Sequence, residues 1–214
     1  MSYQNDADQF KTDGDGTVLK DVWTGDVPTP FVEVTVVKPE AAGEKDEGYA
    51  ESKGVRVGDV EFQAVVQKKR LVAEPGIQRS IDLGVRFTNR GDRPLTFSLF
   101  DTIRPALKTT DGMALRVDGG RNATRRVEPR VVEPGKSEMV RWRARLESLP
   151  DGKSFRLGWT DGTGMLWYFD GVRPGKFLLR FEYDHSKNDK FWTGKATMND
   201  VEIEVVAPEG AKRE

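Results

Sequence analysis

The sequence predicts an all-β protein folded as a β-sandwich with antiparallel sheets. From Ile81 to Phe87 every second residue is large and apolar, and the residues between them are polar or glycine. This alternation is typical of a strand with one buried and one solvent-facing side. Turn-forming residues recur about every 8–12 positions, whereas no stretch of ten or more residues shows the apolar period of a helix. Strands at this density indicate two packed sheets.

This strand is predicted to be the first half of a β-hairpin. The sequence NRGDRP (89–94) contains the glycine, aspartate and proline that favour a tight turn. The apolar alternation continues from Leu95 to Leu99, with Thr96 and Ser98 facing outward. A hairpin this regular needs a second sheet to cover its apolar side, so we expect it at the centre of the sandwich.

Further strands are predicted on both sides of this hairpin. In the segment Val140–Leu146 the apolar residues face inward and three arginines, Arg141, Arg143 and Arg145, face outward. A proline interrupts the segment 100–112, which is predicted to leave the sheet. The other predicted strands and hairpins are Phe31–Val37, Val55–Val57, Val60–Val66, Met113–Val117, Phe155–Phe169, and Phe177–Asp184 with Val201–Val206.

Charge and composition divide the chain into parts. Residues 1–53 carry 12 acids and 5 bases, whereas residues 54–214 carry 23 acids and 29 bases, within a total net charge of −1. Segments rich in charged and small residues cannot bury enough apolar surface to order themselves. The predicted parts are a loosely ordered acidic segment (1–30), an extra strand with a charged linker (31–53), the sandwich (54–208) and a tail (209–214).

The residue types on which most enzyme chemistry depends are nearly absent. The chain has one histidine, His185, and no cysteine, and these are the side chains most used in acid–base and nucleophilic catalysis. His185 lies in the polar sequence DHSKNDK, where a solvated imidazole is expected, and a zinc site of the usual His/Cys kind is excluded by the count. We therefore expect a protein without enzymatic activity and without a cofactor.

Calcium is the one metal for which the sequence offers an alternative. Asp6, Asp8, Asp13 and Asp15 are closely spaced, and carboxylate oxygens are suitable ligands for Ca²⁺. The spacing does not match an EF-hand loop, because the glycine and the closing glutamate of that loop are missing. We therefore expect no metal site, with calcium at these aspartates as the weaker alternative.

The expected compartment and partners follow from hydropathy and charge. No run approaches the roughly eighteen apolar residues of a membrane span, and the first ten residues lack the basic and apolar regions of a signal peptide. The sequence as written indicates a cytoplasmic protein, or a periplasmic or envelope protein if a signal peptide has been removed. No nucleic-acid partner is expected, because the net charge is near zero.

The second half of the chain resembles an uncharacterised immunoglobulin-like domain that recurs in environmental bacteria. The resemblance covers about 80–205, and it rests on LFDTIRPALKTTDGMALRVDGGRNATR (99–125), VEPG (132–135), DGTGMLWYFDGVRPGKFLLRFEYD (161–184) and FWTGKATMNDVEIEV (191–205). The resemblance implies a sandwich fold, no enzymatic activity and no catalytic residues. Phe177 stands where a tyrosine is expected, so a tyrosine-corner hydrogen bond cannot form there.

A looser resemblance is to the small bacterial intracellular proteinase inhibitors, which are also β-sandwiches. It rests on the NRGDRPL sequence and on a later PGK sequence. This resemblance implies that the turn 89–94 could project as an inhibitory loop, with Arg90, Asp92 and Arg93 at its tip. The Arg-Gly-Asp tripeptide itself is interpreted as part of the turn.

The hairpin within Phe155–Phe169 contains the first candidate for a partner-binding surface. An odd number of loop residues, with Trp159 paired to Met165, would place the large apolar side chains together on one face. The sequence DGTG suits a three-residue loop with Gly164 or Gly162 at positive φ. The opposite face would then present a small amphipathic patch formed by Arg156, Leu166 and Tyr168.

The outward arginines could bind an anion, but a structural role is favoured. We expect Arg141, Arg143 and Arg145 to lie within ion-pair distance of carboxylates on neighbouring strands, since Glu202 and Glu204 face outward in the same way.

The predicted function is a non-catalytic interaction or structural module of bacterial type that binds a protein partner. One alternative is a protease inhibitor that acts through a projecting loop, either 89–94 or 104–112. The other is a carbohydrate-binding module, which would require at least two aromatic rings exposed on one face.

Overall fold

The computed structural model describes residues 48–68, 70–119, 125–151, 153–186 and 190–208. Every regular element in these residues is a β-strand, so the predicted all-β class is confirmed. The described part of the chain holds no helix of the length and apolarity that a membrane crossing would need. The predicted strand Phe31–Val37, the acidic segment 1–30 and the tail 209–214 lie outside the described residues.

The strands are numbered in chain order. They are β1 (Tyr49–Glu51), β2 (Val55–Val57), β3 (Val60–Gln67), β4 (Leu71–Val72), β5 (Arg79–Asn89), β6 (Leu95–Phe97), β7 (Ile103–Thr109), β8 (Ala114–Leu115), β9 (Val117–Asp118), β10 (Arg130–Val132), β11 (Ser137–Ser148), β12 (Phe155–Thr160), β13 (Leu166–Val172), β14 (Gly175–His185), β15 (Gly194–Thr197) and β16 (Val201–Val206).

Two sheets form the sandwich. The larger has the order β1-β3-β5-β11-β12-β13-β9, with β2 also paired to β3. The smaller has the order β4-β16-β14-β7-β8, with β15 also paired to β14. All of these pairs are antiparallel except β4 with β16, and β6 and β10 form a separate two-stranded ladder.

A cluster of aromatic rings joins the inner faces of the two sheets. Phe62 of β3 and Phe87 of β5 lie 5.7 and 5.6 Å from the ring of Tyr183 on β14. Further along the sandwich, Trp142 of β11 lies 5.6 Å from Phe181 of β14. Alternation along each strand places these rings inside, where their burial stabilises the fold.

The predicted hairpin between the strand at Ile81 and the strand at Leu95 does not form. β5 pairs with β3 and β11, whereas β6 pairs with β10. Phe97 still stacks on Phe87 with a centroid distance of 4.8 Å, so the apolar alternation was interpreted correctly although the pairing was not. Ser98, predicted to face outward, is buried because its carbonyl oxygen accepts hydrogen bonds from Thr102 and Tyr183.

Three segments differ from their predicted structure. Most of 100–112 forms β7, a central strand of the smaller sheet, because Ile103, Pro105 and Leu107 alternate inward as a strand requires. The predicted strand Met113–Val117 is divided into β8, which joins the smaller sheet, and β9, which joins the larger one. The end of the predicted linker forms β1, which pairs with β3.

The buried hydroxyl of Tyr183 provides a test of the core. It donates a 3.1 Å hydrogen bond to the carbonyl oxygen of Ser98, and burial raises the pKa of this hydroxyl well above its usual value. Phe177, which cannot make such a bond, lies in the same strand. We expect Tyr183→Phe to lower the free energy of unfolding by about 0.5–1.5 kcal/mol, measured by urea denaturation. A loss of less than a few tenths of a kcal/mol would show that this hydrogen bond does not stabilise the protein.

Candidate functional site

The loop between β12 and β13 decides which side chains reach the outer side of the larger sheet. Thr160 pairs with Leu166, and the N–H of Asp161 donates a 3.0 Å hydrogen bond to the carbonyl oxygen of Met165, which leaves the three residues 162–164 in the loop. The predicted three-residue loop with Gly164 at positive φ is confirmed, since its φ is 87°, but Trp159 pairs with Trp167 and not with Met165, so the register differs by two residues from the predicted one. A shift of two residues preserves the face of every side chain, so Leu166 and Tyr168 still lie on the outer side.

The carboxylate of Asp161 orders this loop. One of its carboxylate oxygens accepts hydrogen bonds from the backbone N–H groups of Thr163 (2.8 Å) and Met165 (3.1 Å). The other accepts a 3.1 Å bond from the indole N–H of Trp167. These bonds hold Trp167 opposite Trp159 in the ladder, where Met165 was predicted to lie.

A groove of about 460 Å³ crosses the outer side of β11, β12 and β13. The ladder places Gly158 of β12 between Arg145 of β11 and Tyr168 of β13. A Cβ atom at Gly158 would lie 3.1 Å from the Cβ of Tyr168, so glycine keeps the floor of the groove open. We call this the Gly158 groove, and it is lined by Arg143, Arg145, Glu147, Arg156, Gly158, Trp159, Thr160, Leu166 and Tyr168.

The three residues of the predicted patch, Arg156, Leu166 and Tyr168, all line this groove and are half-buried. The guanidinium of Arg156 lies 4.2 Å from the centroid of the Tyr168 ring. It also donates two hydrogen bonds, of 2.6 and 2.8 Å, to the carboxylate of Asp170. This bidentate pair fixes the orientation of Arg156 over the ring, so one wall of the groove is ordered without a ligand.

The same pair makes stability depend on pH. Hydrogen bonds from Arg156 lower the pKa of Asp170 below its ordinary value of 3.8. A lowered carboxyl pKa stabilises the folded state above the unfolded-state pKa, and this contribution is lost as the pH falls through the folded-state pKa. We expect Asp170→Asn to cost about 0.2–1 kcal/mol at pH 7, because the pair is well exposed. Urea unfolding should show that the difference in the free energy of unfolding between Asp170→Asn and the unmodified protein shrinks below pH 4. A difference that grows below pH 4 would contradict the role of Arg156 in lowering the pKa of Asp170.

The outward arginines of β11 have different surroundings. Arg143 forms the predicted ion pair, with its Nε 3.2 Å from a carboxylate oxygen of Asp82. Arg141 donates a 2.9 Å hydrogen bond to the hydroxyl of Tyr49. Arg145 forms no ion pair within the described residues, so the prediction of a carboxylate partner does not hold for it.

The outer side of the smaller sheet is closely charge-paired by comparison. Lys176 pairs with Glu202 at 2.8 Å, Arg70 pairs with Glu204 at 2.8 Å, and Asp200 lies within 3.2 Å of both Lys108 and Arg180. Glu202 and Glu204 thus face outward as predicted but pair with these cations, and not with the arginines of β11. Such pairs between exposed side chains are structural.

Hydrogen bonds of the Asn89 side chain hold the turn 89–94. The buried side chain of Asn89 donates hydrogen bonds of 2.8 Å to the carbonyl oxygens of Arg93 and Val132 and accepts one of 2.9 Å from the N–H of Gly91. Arg90 is held by Glu61 at 2.6 Å, so it is not a free tip residue. Asp92, Arg93 and Pro94 are exposed, as is Arg90 despite its ion pair.

His185 is not the solvated residue that its polar sequence predicts. It is the last residue of β14 and is half-buried, with its ring 5.7 Å from that of Phe191. Its Nε2 atom is buried and has no hydrogen-bond partner among the described residues. The described residues contain no group of three acidic, histidine or cysteine side chains suited to a metal, and Asp6, Asp8, Asp13 and Asp15 lie outside the described residues.

Comparison with known proteins identifies no family. No protein-family model matches the chain, and no curated protein matches it. A β-glucosidase from Erythrobacter marinus is similar with a TM-score of 0.32 and 14% identity over 69% of this chain and 15% of its own. A protein of Bacillus subtilis described as a lipoprotein is similar with a TM-score of 0.28 and 12% identity over 74% of this chain and 38% of its own. Likenesses this distant carry no argument, and the class defined by the structure is an all-β sandwich protein.

Proposed function

We propose that this chain is a non-catalytic protein-binding module of the immunoglobulin-like type, and that the Gly158 groove is the surface that contacts its partner. The observation that carries the proposal is the composition of the groove. It combines the apolar side chain of Leu166, the ring of Tyr168 and arginines in one concave surface. Tyrosine and arginine are enriched at the centres of protein interfaces, where they contribute most of the binding free energy.

The order of the groove supports the same proposal. Arg156 is already held over Tyr168 by Asp170, and a surface that is ordered before binding loses less conformational entropy when a partner docks. The charge-paired outer side of the smaller sheet has no comparable apolar or aromatic cluster among its described residues.

Carbohydrate binding has less support. Stacking on a sugar requires exposed rings, and among the described aromatic residues only Phe100 is largely exposed. One ring does not meet the requirement of two on a common face.

Protease inhibition is a second candidate, favoured by the hydrogen bonds with which Asn89 holds the turn 89–94. A rigid loop binds a protease with a smaller entropic cost, and Asp92 and Arg93 are exposed on it. The alternative loop 104–112 is not suitable, because most of it is the central strand β7. Arg93→Ala should abolish inhibition of a trypsin-like protease if this second function is correct, while Tyr168→Ala should not affect it.

The experiment for the first proposal compares one surface with another. A partner captured from the source cells and then purified is titrated calorimetrically with the unmodified protein, with Tyr168→Ala and with Lys176→Ala as the control on the smaller sheet. We expect Tyr168→Ala to weaken binding about tenfold or more and the control to weaken it less than about twofold. Equal affinities for Tyr168→Ala and the unmodified protein would overturn the proposal.

A further inference from the structure

We propose that the Gly158 groove recognises a carboxylate in an acidic segment of the partner protein, and that Arg145 is the residue that binds this carboxylate. The inference rests on the proposed function of the groove and adds the chemical class of the ligand.

The first argument is the electrostatic position of Arg145. Its ladder neighbours are Ser80 on β5 and Gly158 on β12, neither of which carries a charge. Of the acidic groups nearest to it along the sheet, Asp82 pairs with Arg143, and Glu147 accepts a hydrogen bond from Gln78. Arg145 is exposed and has no ion pair within the described residues, so all of its donors are available to a ligand.

The second argument is the space beside Arg145. Gly158 separates Arg145 from Tyr168, and adjacent strands lie about 4.8 Å apart. The two side chains therefore stand roughly 10 Å apart with no side chain between them. This is room for one side chain of a partner, with its carboxylate against Arg145 and its carbon atoms against Tyr168 and Leu166.

The third argument is charge complementarity. The lining of the groove contains three arginines and one glutamate. Guanidinium groups bind carboxylates in a bidentate geometry, as Arg156 already does with Asp170. An acidic protein segment is a better match than a nucleic acid, because the chain has a net charge of −1 and the two rings that line the groove, Trp159 and Tyr168, are buried and half-buried.

The test uses a fluorescein-labelled peptide of ten glutamates and measures fluorescence anisotropy at low and at physiological salt. We expect binding of this peptide but not of a ten-glutamine peptide. Arg145→Gln should weaken binding about tenfold, and Arg145→Lys should recover part of the loss. The matched control is Arg104→Gln, an exposed arginine on the outer side of β7, which should change the affinity less than about twofold.

Several outcomes would overturn the inference. These are no binding of the glutamate peptide, equal losses for Arg145→Gln and Arg104→Gln, tighter binding of a ten-nucleotide oligothymidine, or displacement of the peptide by millimolar inorganic phosphate. The proposed function is judged separately with the purified partner. If Tyr168→Ala weakens partner binding but Arg145→Gln does not, the groove remains the interface and the carboxylate inference alone is wrong. If neither variant weakens partner binding, the proposed function and the carboxylate inference are both wrong.

Discussion

Phe62→Ala is expected to lower the free energy of unfolding by about 3–5 kcal/mol. The ring of Phe62 is fully buried and lies between the two sheets. It is 5.6 Å from Phe87, 5.7 Å from Tyr183 and 5.1 Å from Trp192. Removing it leaves a cavity surrounded by rings, of which Phe87 on β5 and Tyr183 on β14 are held by their strands, so little of the lost contact can be recovered.

The matched control is Phe100→Ala, because Phe100 is 47% exposed. Its loss should cost less than about 1 kcal/mol, and both values are obtained from urea unfolding with an unchanged m-value. Comparable losses for the two variants would show that the aromatic cluster does not hold the sheets together.

Gly84→Ala should destabilise the protein by at least about 2 kcal/mol, although alanine is better than glycine in most strands. Gly84 lies at the centre of β5, opposite Arg141 on β11. A Cβ atom there would overlap the carbonyl oxygen of Val140 and lie 3.0 Å from the Cα of Arg141. Both contacts are with backbone atoms, so the two central strands would have to separate locally.

Gly162→Ala is the control for this substitution. A Cβ atom at Gly162 would meet a methyl group of Val127 at 3.4 Å, which is an ordinary contact distance, and we expect a change within about 0.5 kcal/mol. Thermal unfolding measures both variants. A stability for Gly84→Ala equal to that of the unmodified protein would mean that β5 and β11 are not as closely spaced as described.

The fold class follows from the sequence, whereas the pairing of the strands does not. The alternation in β5 and β11 depends only on neighbouring residues, and it correctly predicted the burial of the apolar residues Ile81–Phe87 of β5, although Thr88, predicted to face outward, is buried as well. One partner of β5, however, is β11, whose paired residues lie about 50 to 70 positions further along the chain, and no local pattern specifies such a contact. A tight turn after Asn89 suggested a hairpin, but Asn89 uses its side chain to close the turn against Val132 of β10.

The candidate site was predicted in part. The prediction of an odd number of loop residues placed Arg156, Leu166 and Tyr168 on the outer side, because only the odd or even length of the loop determines the face of each side chain. The role of Arg145 was missed, since its isolation depends on the residues that face it across two ladders. Gly158 carried a signal that could have been used: a glycine inside a strand often marks the close approach of a ligand or another chain.

The central claim is that the Gly158 groove is the recognition surface, and a two-dimensional ¹H–¹⁵N NMR titration with the ten-glutamate peptide tests it most directly. The account predicts chemical-shift changes at the backbone amides of Arg145, Gly158 and Leu166–Tyr168, and at the indole N–H of Trp167, which is held by Asp161 behind the groove. Changes confined to the turn 89–94 or to the smaller sheet, with the groove amides unmoved, would contradict it.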